Sequence, residues 1–142
     1  MSTRRLAALL LTLAPHLGHA ACGLASTGVA FGVYDVFSNS HTDSTGTITV
    51  SCDLATPYTL SLSPGSGSYG QRTLLAGPHS LAYNLYSDPA RSQVWGDGSG
   101  GSTTVAGTAD GTVNHWVHGR IPARQNARVG IYADTVVITL EY

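Results

Sequence analysis

Hydrophobic and polar positions alternate along most of this chain. The clearest case is residues 135–142, where Val136, Ile138, Leu140 and Tyr142 share one face and Thr135, Val137, Thr139 and Glu141 the other. A period of two with β-branched and aromatic residues marks a half-buried strand. Residues 130–134 before it read as a turn. The sequence stops at the end of this strand, so no later segment covers its far edge or its apolar face. An uncovered edge is a pairing hazard, and the pattern raises the question of what completes it.

Earlier segments repeat the alternation. Val29, Phe31 and Val33 share a face, which predicts a first strand over 29–35. Residues 39–46 are polar and read as a loop. Over 47–52, Ile48, Val50 and Cys52 point inward. Tyr58, Leu60 and Leu62 form the next inward set, ended by Pro64-Gly65 and a Gly/Ser run to Gly70. Arg72–Ala76 reads as a short strand broken by Gly77-Pro78. Leu81, Tyr83 and Leu85 then alternate with Ala82, Asn84 and Tyr86, and Asp88-Pro89 closes that strand. Val94-Trp95 is a brief extended piece, 96–101 a flexible turn, and 103–105 and 113–121 carry further strand character. Residues 122–129 read as a connector. Short strands at this spacing, without amphipathic helical runs, predict an all-β sandwich.

The first stretch reads as a secretory signal. Arg4 and Arg5 precede an apolar run over 6–14 that is too short to span a bilayer, and Gly18-His19-Ala20 suits a cut after Ala20. Residues 1–20 are therefore expected to be removed and 21–142 to form one exported domain. No later apolar run is long enough for a membrane helix. The exported part carries five Arg and no Lys against eight carboxylates. This balance excludes the basic patch of a nucleic-acid binder. Both cysteines, Cys22 and Cys52, fall in the exported part, where an oxidising compartment predicts a disulfide.

Candidate chemistry is sparse. His41, His79, His115 and His118 fit no metal-binding spacing, and His115 and His118, three apart on a strand, face opposite sides. No serine lies in a nucleophile elbow. Asp35, Asp53, Asp88, Asp97, Asp110 and Asp134 could supply a glycosidase pair, but the sequence gives no means of pairing them. Asp97-Gly98-Ser99-Gly100 lacks the later acidic ligands of a calcium loop. Trp95 and Trp116 are of the type that stacks sugars, and equally of the type that packs a core or its rim. No catalytic residue, metal or cofactor is assigned.

Several segments together carry a resemblance. LAYNLYSDPAR at 81–91, VWGDGSGG at 94–101, VHGRIPA at 117–123 followed by Gln125, GIYADTV at 130–136 and FGVYD at 31–35 resemble the spore coat protein U domain family. That family includes pilin subunits of archaic chaperone–usher pili and coat proteins of bacterial spores. The resemblance implies an incomplete immunoglobulin-like β-sandwich that lacks its final strand. A periplasmic chaperone, and then a neighbouring subunit, would lend that strand, with an outer-membrane usher assembling the fibre. The expected acceptor groove is formed by Phe31, Val33, Val136, Ile138, Leu140 and Tyr142. The implied role is an exported structural subunit of a pilus, fimbria or coat, displayed at the cell surface for adhesion or biofilm formation. It would not be an enzyme. The rival readings are an adhesive or carbohydrate-binding module acting through its loops and Trp95, and a secreted hydrolase. Two features depart from the family pattern. His115 stands in phase with Val113 and Val117, where relatives carry an apolar residue. A cut after Ala20 also leaves only Ala21 before Cys22, too little for a donor strand of about five residues. That shortage predicts a terminal position, such as a fibre tip.

Overall fold

The computed structural model describes residues 20–142. The expected signal segment lies outside the described residues except for Ala20. The described residues form an all-β structure of six strands: β1 Cys22–Ser26, β2 Thr42–Leu62, β3 Arg72–Ala76, β4 His79–Tyr86, β5 Val105–Ile121 and β6 Ile138–Glu141. The order is β1-β2-β5-β4-β3, with β6 also paired to β2, and every strand pair is antiparallel.

Two long strands carry the architecture. β2 and β5 pair from Thr42↔Ile121 to Cys52↔Gly111, shift register between Cys52 and Thr56, and pair again from Thr56↔Ala109 to Leu60↔Val105. An irregularity of this kind bends a strand without ending it. The inward sets on either side, Ile48 and Val50 before it and Tyr58, Leu60 and Leu62 after it, therefore belong to one strand and fill one core. Residues 39–46, read as a loop from their polarity, are strand from Thr42 onward. Their backbone is paired to β5 while Asp43 and Thr45 stay exposed. Pairing decides the backbone here, and polarity reports only the solvent face.

The expected first strand over 29–35 is not one. The strand is β1, whose Cys22 lies directly opposite Cys52 on β2. The two are bridged, with Cα atoms 4.1 Å apart. Asp53 N donates to Ala21 O at 3.0 Å, and Ala21 N donates to the Asp53 carboxylate at 2.7 Å. Beyond β1, Val29 and Phe31 still turn inward, but Gly32 adopts φ 76° and breaks the alternation. Val33 is consequently 93% exposed, and Tyr34 turns in instead. The Tyr34 hydroxyl donates to Pro122 O at 2.6 Å and accepts from Gln125 N at 3.0 Å, holding the connector to this segment.

The core contains one full charge. Arg72 is wholly buried. Its Nη1 donates to Asn84 Oδ1 at 2.8 Å, its Nε and Nη2 to Ser63 O at 3.1 and 2.7 Å, and its Nη2 also to Trp95 O at 2.7 Å. The Tyr69 ring lies 5.5 Å from the guanidinium. Burial lowers the Arg72 pKa from its ordinary value. These acceptors offset the cost of enclosing the charge. The side chain thereby ties the end of β2, β4 and the Trp95 segment together.

Two stability predictions follow from these contacts. Cys22→Ser with Cys52→Ser should lower unfolding free energy by about 3–4 kcal/mol, the chain-entropy value for a closure spanning 30 residues. Urea unfolding of the double variant against the oxidised parent measures it. Arg72→Met should cost about 3 kcal/mol or more, because Ser63 O, Trp95 O and Asn84 lose buried partners together. The same titration checks it, and an unchanged midpoint would show the network to be dispensable.

Candidate functional site

The C-terminal stretch alternates as its sequence dictates. Tyr132, Asp134, Val136, Ile138 and Leu140 are half-buried, and the residues between them are exposed. One edge of this stretch is bonded. β6 pairs with the end of β2 from Thr59↔Glu141 to Leu62↔Ile138. Ser63 N donates to Val137 O at 2.9 Å, and Leu75 and Ala133 exchange backbone hydrogen bonds at 2.8 and 3.0 Å. No strand among the described residues pairs with the opposite edge.

The segment after β1 is the other flank. β1 ends the sheet order, and residues 28–31 run on without a backbone ladder. Gly119 lets them lie close over the sheet: a Cβ at that position would sit 2.7 Å from the Phe31 ring and 2.9 Å from Val29. Phe31 in turn meets the Tyr83 ring edge-on, with centroids 6.0 Å apart.

Between these flanks lies an open cleft of about 310 Å³. Val29 and Phe31 form one wall, and Asp134, Val136 and Ile138 form the other. Ile48, Leu62, Leu85 and Val117 lie along its floor and belong to the hydrophobic core. The only ionisable carboxylate lining the cleft is Asp134. It accepts from Tyr83 Oη at 2.6 Å, Ser66 Oγ at 2.7 Å, Thr135 N at 2.9 Å and Ser66 N at 3.0 Å. Burial, and then this carboxylate, push the Tyr83 phenol well above its ordinary value. Asp134 therefore fixes the start of the last stretch, and its charge is spent on internal donors.

Of the residues expected in the groove, Phe31, Val136 and Ile138 line the cleft. Leu140 lies further along, opposite Leu60. Val33 and Tyr142 are outside it, at 93% and 62% exposure. The floor residues and Asp134 were not assigned to the groove from the sequence. The floor was visible there as ordinary core alternation, and Asp134 as a turn residue and one of six candidate carboxylates.

His115 finds a partner. Tyr58 Oη lies 2.6 Å from its Nε2, and the His115 ring packs edge-on to both Tyr58 and Trp95. Burial lowers the pKa of His115 and raises that of Tyr58, so the pair is held neutral. Trp95 is fully buried and donates its indole N–H to Leu60 O at 3.1 Å, so it cannot be the ligand platform of an adhesive module. Trp116 is 58% exposed. Asp88 and Asp97 are engaged by turn donors from Ser92, Gln93 and Ser99. Among the described residues no three His, Cys, Asp or Glu side chains gather as metal ligands.

The profile of the Spore Coat Protein U domain matches residues 7–139. The chain belongs to that family. Protein U of Myxococcus xanthus is 33% identical over 126 residues, which cover 79% of this chain and 70% of that protein. The fold also matches a solved complex of CsuC and CsuE, the chaperone–tip adhesion subunit pre-assembly complex from archaic chaperone–usher Csu pili of Acinetobacter baumannii. The TM-score is 0.66 at 20% identity, over 87% of this chain and 40% of that one, so this chain spans less than half of its counterpart. The likeness places this family member among immunoglobulin-like sandwiches with a missing strand.

The His115–Tyr58 pair generates a pH prediction. With the folded pKa of His115 below its unfolded value near 6.5, the unfolded state binds the proton first. Stability is complete above that value and declines as pH falls toward and through the lowered folded value. His118 is lowered too, first by burial and then by Arg91, and acts in the same direction. Urea midpoints should therefore drop between pH 7.5 and pH 5, and His115→Gln should flatten part of that drop.

Proposed function

We propose that this chain is an exported structural subunit of a surface pilus or coat, and that its cleft accepts a strand from another protein. It acts by assembly and not by catalysis. The observation that carries the reading is the cleft itself: an apolar floor continuous with the core, between two edges that are unpaired on their facing sides. An added strand would satisfy backbone groups on both flanks and place alternate side chains against Ile48, Leu62, Leu85 and Val117. Family membership supports the structural role. The chaperone–subunit complex that shares the fold supports a periplasmic chaperone as first partner, a neighbouring subunit as second, and an outer-membrane usher as the assembly platform. The route is then export through the inner membrane, cleavage after Ala20, and surface display of a domain comprising 21–142. The acceptor residues in this reading are Phe31, Val136 and Ile138 on the walls, with Leu140 extending the strand edge.

Position in the fibre follows from the other end. With cleavage after Ala20, β1 begins almost at the mature terminus, and its Cys22 is already bridged and paired. Under that cleavage the proposed place of the subunit is terminal, most simply the tip, where it need only receive a strand.

The test uses the full chain purified from the periplasm with and without a synthetic peptide matching the N-terminal segment of a partner subunit. Binding should raise the melting temperature, and Ile138→Asp should abolish both the rise and co-purification of the chaperone. A charge there is buried under any inserted strand at a cost of several kcal/mol. Wild-type chaperone capture by Ile138→Asp would move the acceptor site elsewhere. Rod-like homopolymers of this protein alone, seen by electron microscopy, would refute the terminal position and leave strand acceptance intact.

A further inference from the structure

Trp116 is the one indole that the core does not use. It stands 58% exposed on β5, between His115 and Val117, which face the interior. A single exposed ring says little by itself, and what gives this one meaning is the set of polar groups placed around it. Its surroundings are ordered. Asn114 and His118 share its face, each about 7 Å away along the strand. Thr47 is its cross-strand partner, and Thr49 is that of Asn114. The Thr49 hydroxyl donates to Asn114 Oδ1 at 2.7 Å. That bond turns the Asn114 NH2 group outward. Among the described residues neither this group nor the Trp116 indole N–H has a hydrogen-bond partner. Further along the same face, beyond His118, Arg120 pairs with Asp43 at 2.8 and 2.9 Å, and Arg91 lies 3.6 Å from the same carboxylate.

These features select among ligands. Nucleic acid needs a row of free cationic side chains, and the two guanidiniums at the end of this face, Arg120 and Arg91, are both drawn to Asp43. A protein partner needs roughly 800 Å² on each side with an apolar centre, and a single tryptophan supplies about 150–250 Å². A sugar ring fits better. Its C–H face stacks on an indole, and the hydroxyls at its rim meet amide and hydroxyl groups set around the aromatic surface.

We propose that the outer face of β2 and β5 around Trp116 binds a neutral polysaccharide, with one pyranose ring stacked on the indole and its hydroxyls bonded to Asn114 and Thr49. Ile48 and Val117 point into the cleft, and Trp116 points the other way. The site therefore does not rest on strand acceptance, and either reading can fail without the other.

Affinity electrophoresis of the full chain through gels containing amylose, hydroxyethylcellulose or xyloglucan, with alginate as an acidic comparison, tests it. At least one neutral polymer should retard the protein. Trp116→Ala should abolish the retardation with no change in melting temperature, Trp116→Phe should keep part of it, and Asn114→Ala should weaken binding about tenfold. The bound polymer should also protect Trp116 from acrylamide quenching, while buried Trp95 contributes a constant background. No retardation by any neutral polymer, retardation by alginate alone, or equal retardation of Trp116→Ala would overturn the proposal.

Discussion

A sandwich core is closed only when every inward line of side chains has a neighbour on both sides. In this molecule one line does not. Val29 and Phe31 on one flank, and Val136 and Ile138 on the other, face each other across a cleft with the core as its floor. None of these four is fully buried, although all are large and apolar. At about 25 cal/mol per Å² of apolar surface removed from water, covering such a strip is strongly favourable. The unpaired backbone along the same edges adds direction to that drive, because only an extended segment in the right register satisfies it. The cleft is thus a defect in the isolated fold, and in the proposed assembly it would be the source of specificity.

A core left open along one side needs rigidity from elsewhere. Three devices supply it, two away from the cleft and one, Asp134, in its wall. The Cys22–Cys52 bridge holds β1 against β2 at the very residues where the ladder is about to shift register. Arg72 binds the end of β2, β4 and the Trp95 segment through four hydrogen bonds. Asp134 gathers Ser66, Tyr83 and the backbone of Thr135, so the last stretch begins from a fixed point. The flanks are positioned by covalent and hydrogen-bonded contacts within the chain itself. A preorganised acceptor of this kind loses little conformational freedom on binding.

How much of this was legible from residues alone depended on what each pattern reports. Period-two alternation reports which face a residue takes, and Ile48, Val50, Leu60, Leu62, Leu81, Tyr83 and Leu85 are all core. It does not report where a strand stops. Two inward sets in phase read as two strands, while the backbone carries them through a bulge as one. Polarity at Thr42 to Gly46 described the solvent face of a paired strand. A single glycine at position 32 inverted the facing of everything after it, so Val33 left the expected groove and Tyr34 entered the interior. Arg72 was the least visible of all. Nothing in an isolated arginine next to a strand pattern says that its carbonyl partners will come from Ser63 and Trp95, which are remote in sequence and meet it only in the fold.

The same alternation gives one long strand two separate faces. Along β5, His115 and Val117 turn inward. His115 there is neutralised by Tyr58, and Val117 forms part of the cleft floor. Asn114 and Trp116 turn outward into solvent, and His118 on the same side is half-buried near Arg91. A change on one face does not reach the other except through the backbone, because each side chain has a single side to occupy. An apolar residue in place of His115 would suit the interior as well, and it would leave the outer platform untouched. Trp116 has no such interior reason to be large or aromatic. Its indole lies on the solvent side, opposite Thr47 on β2.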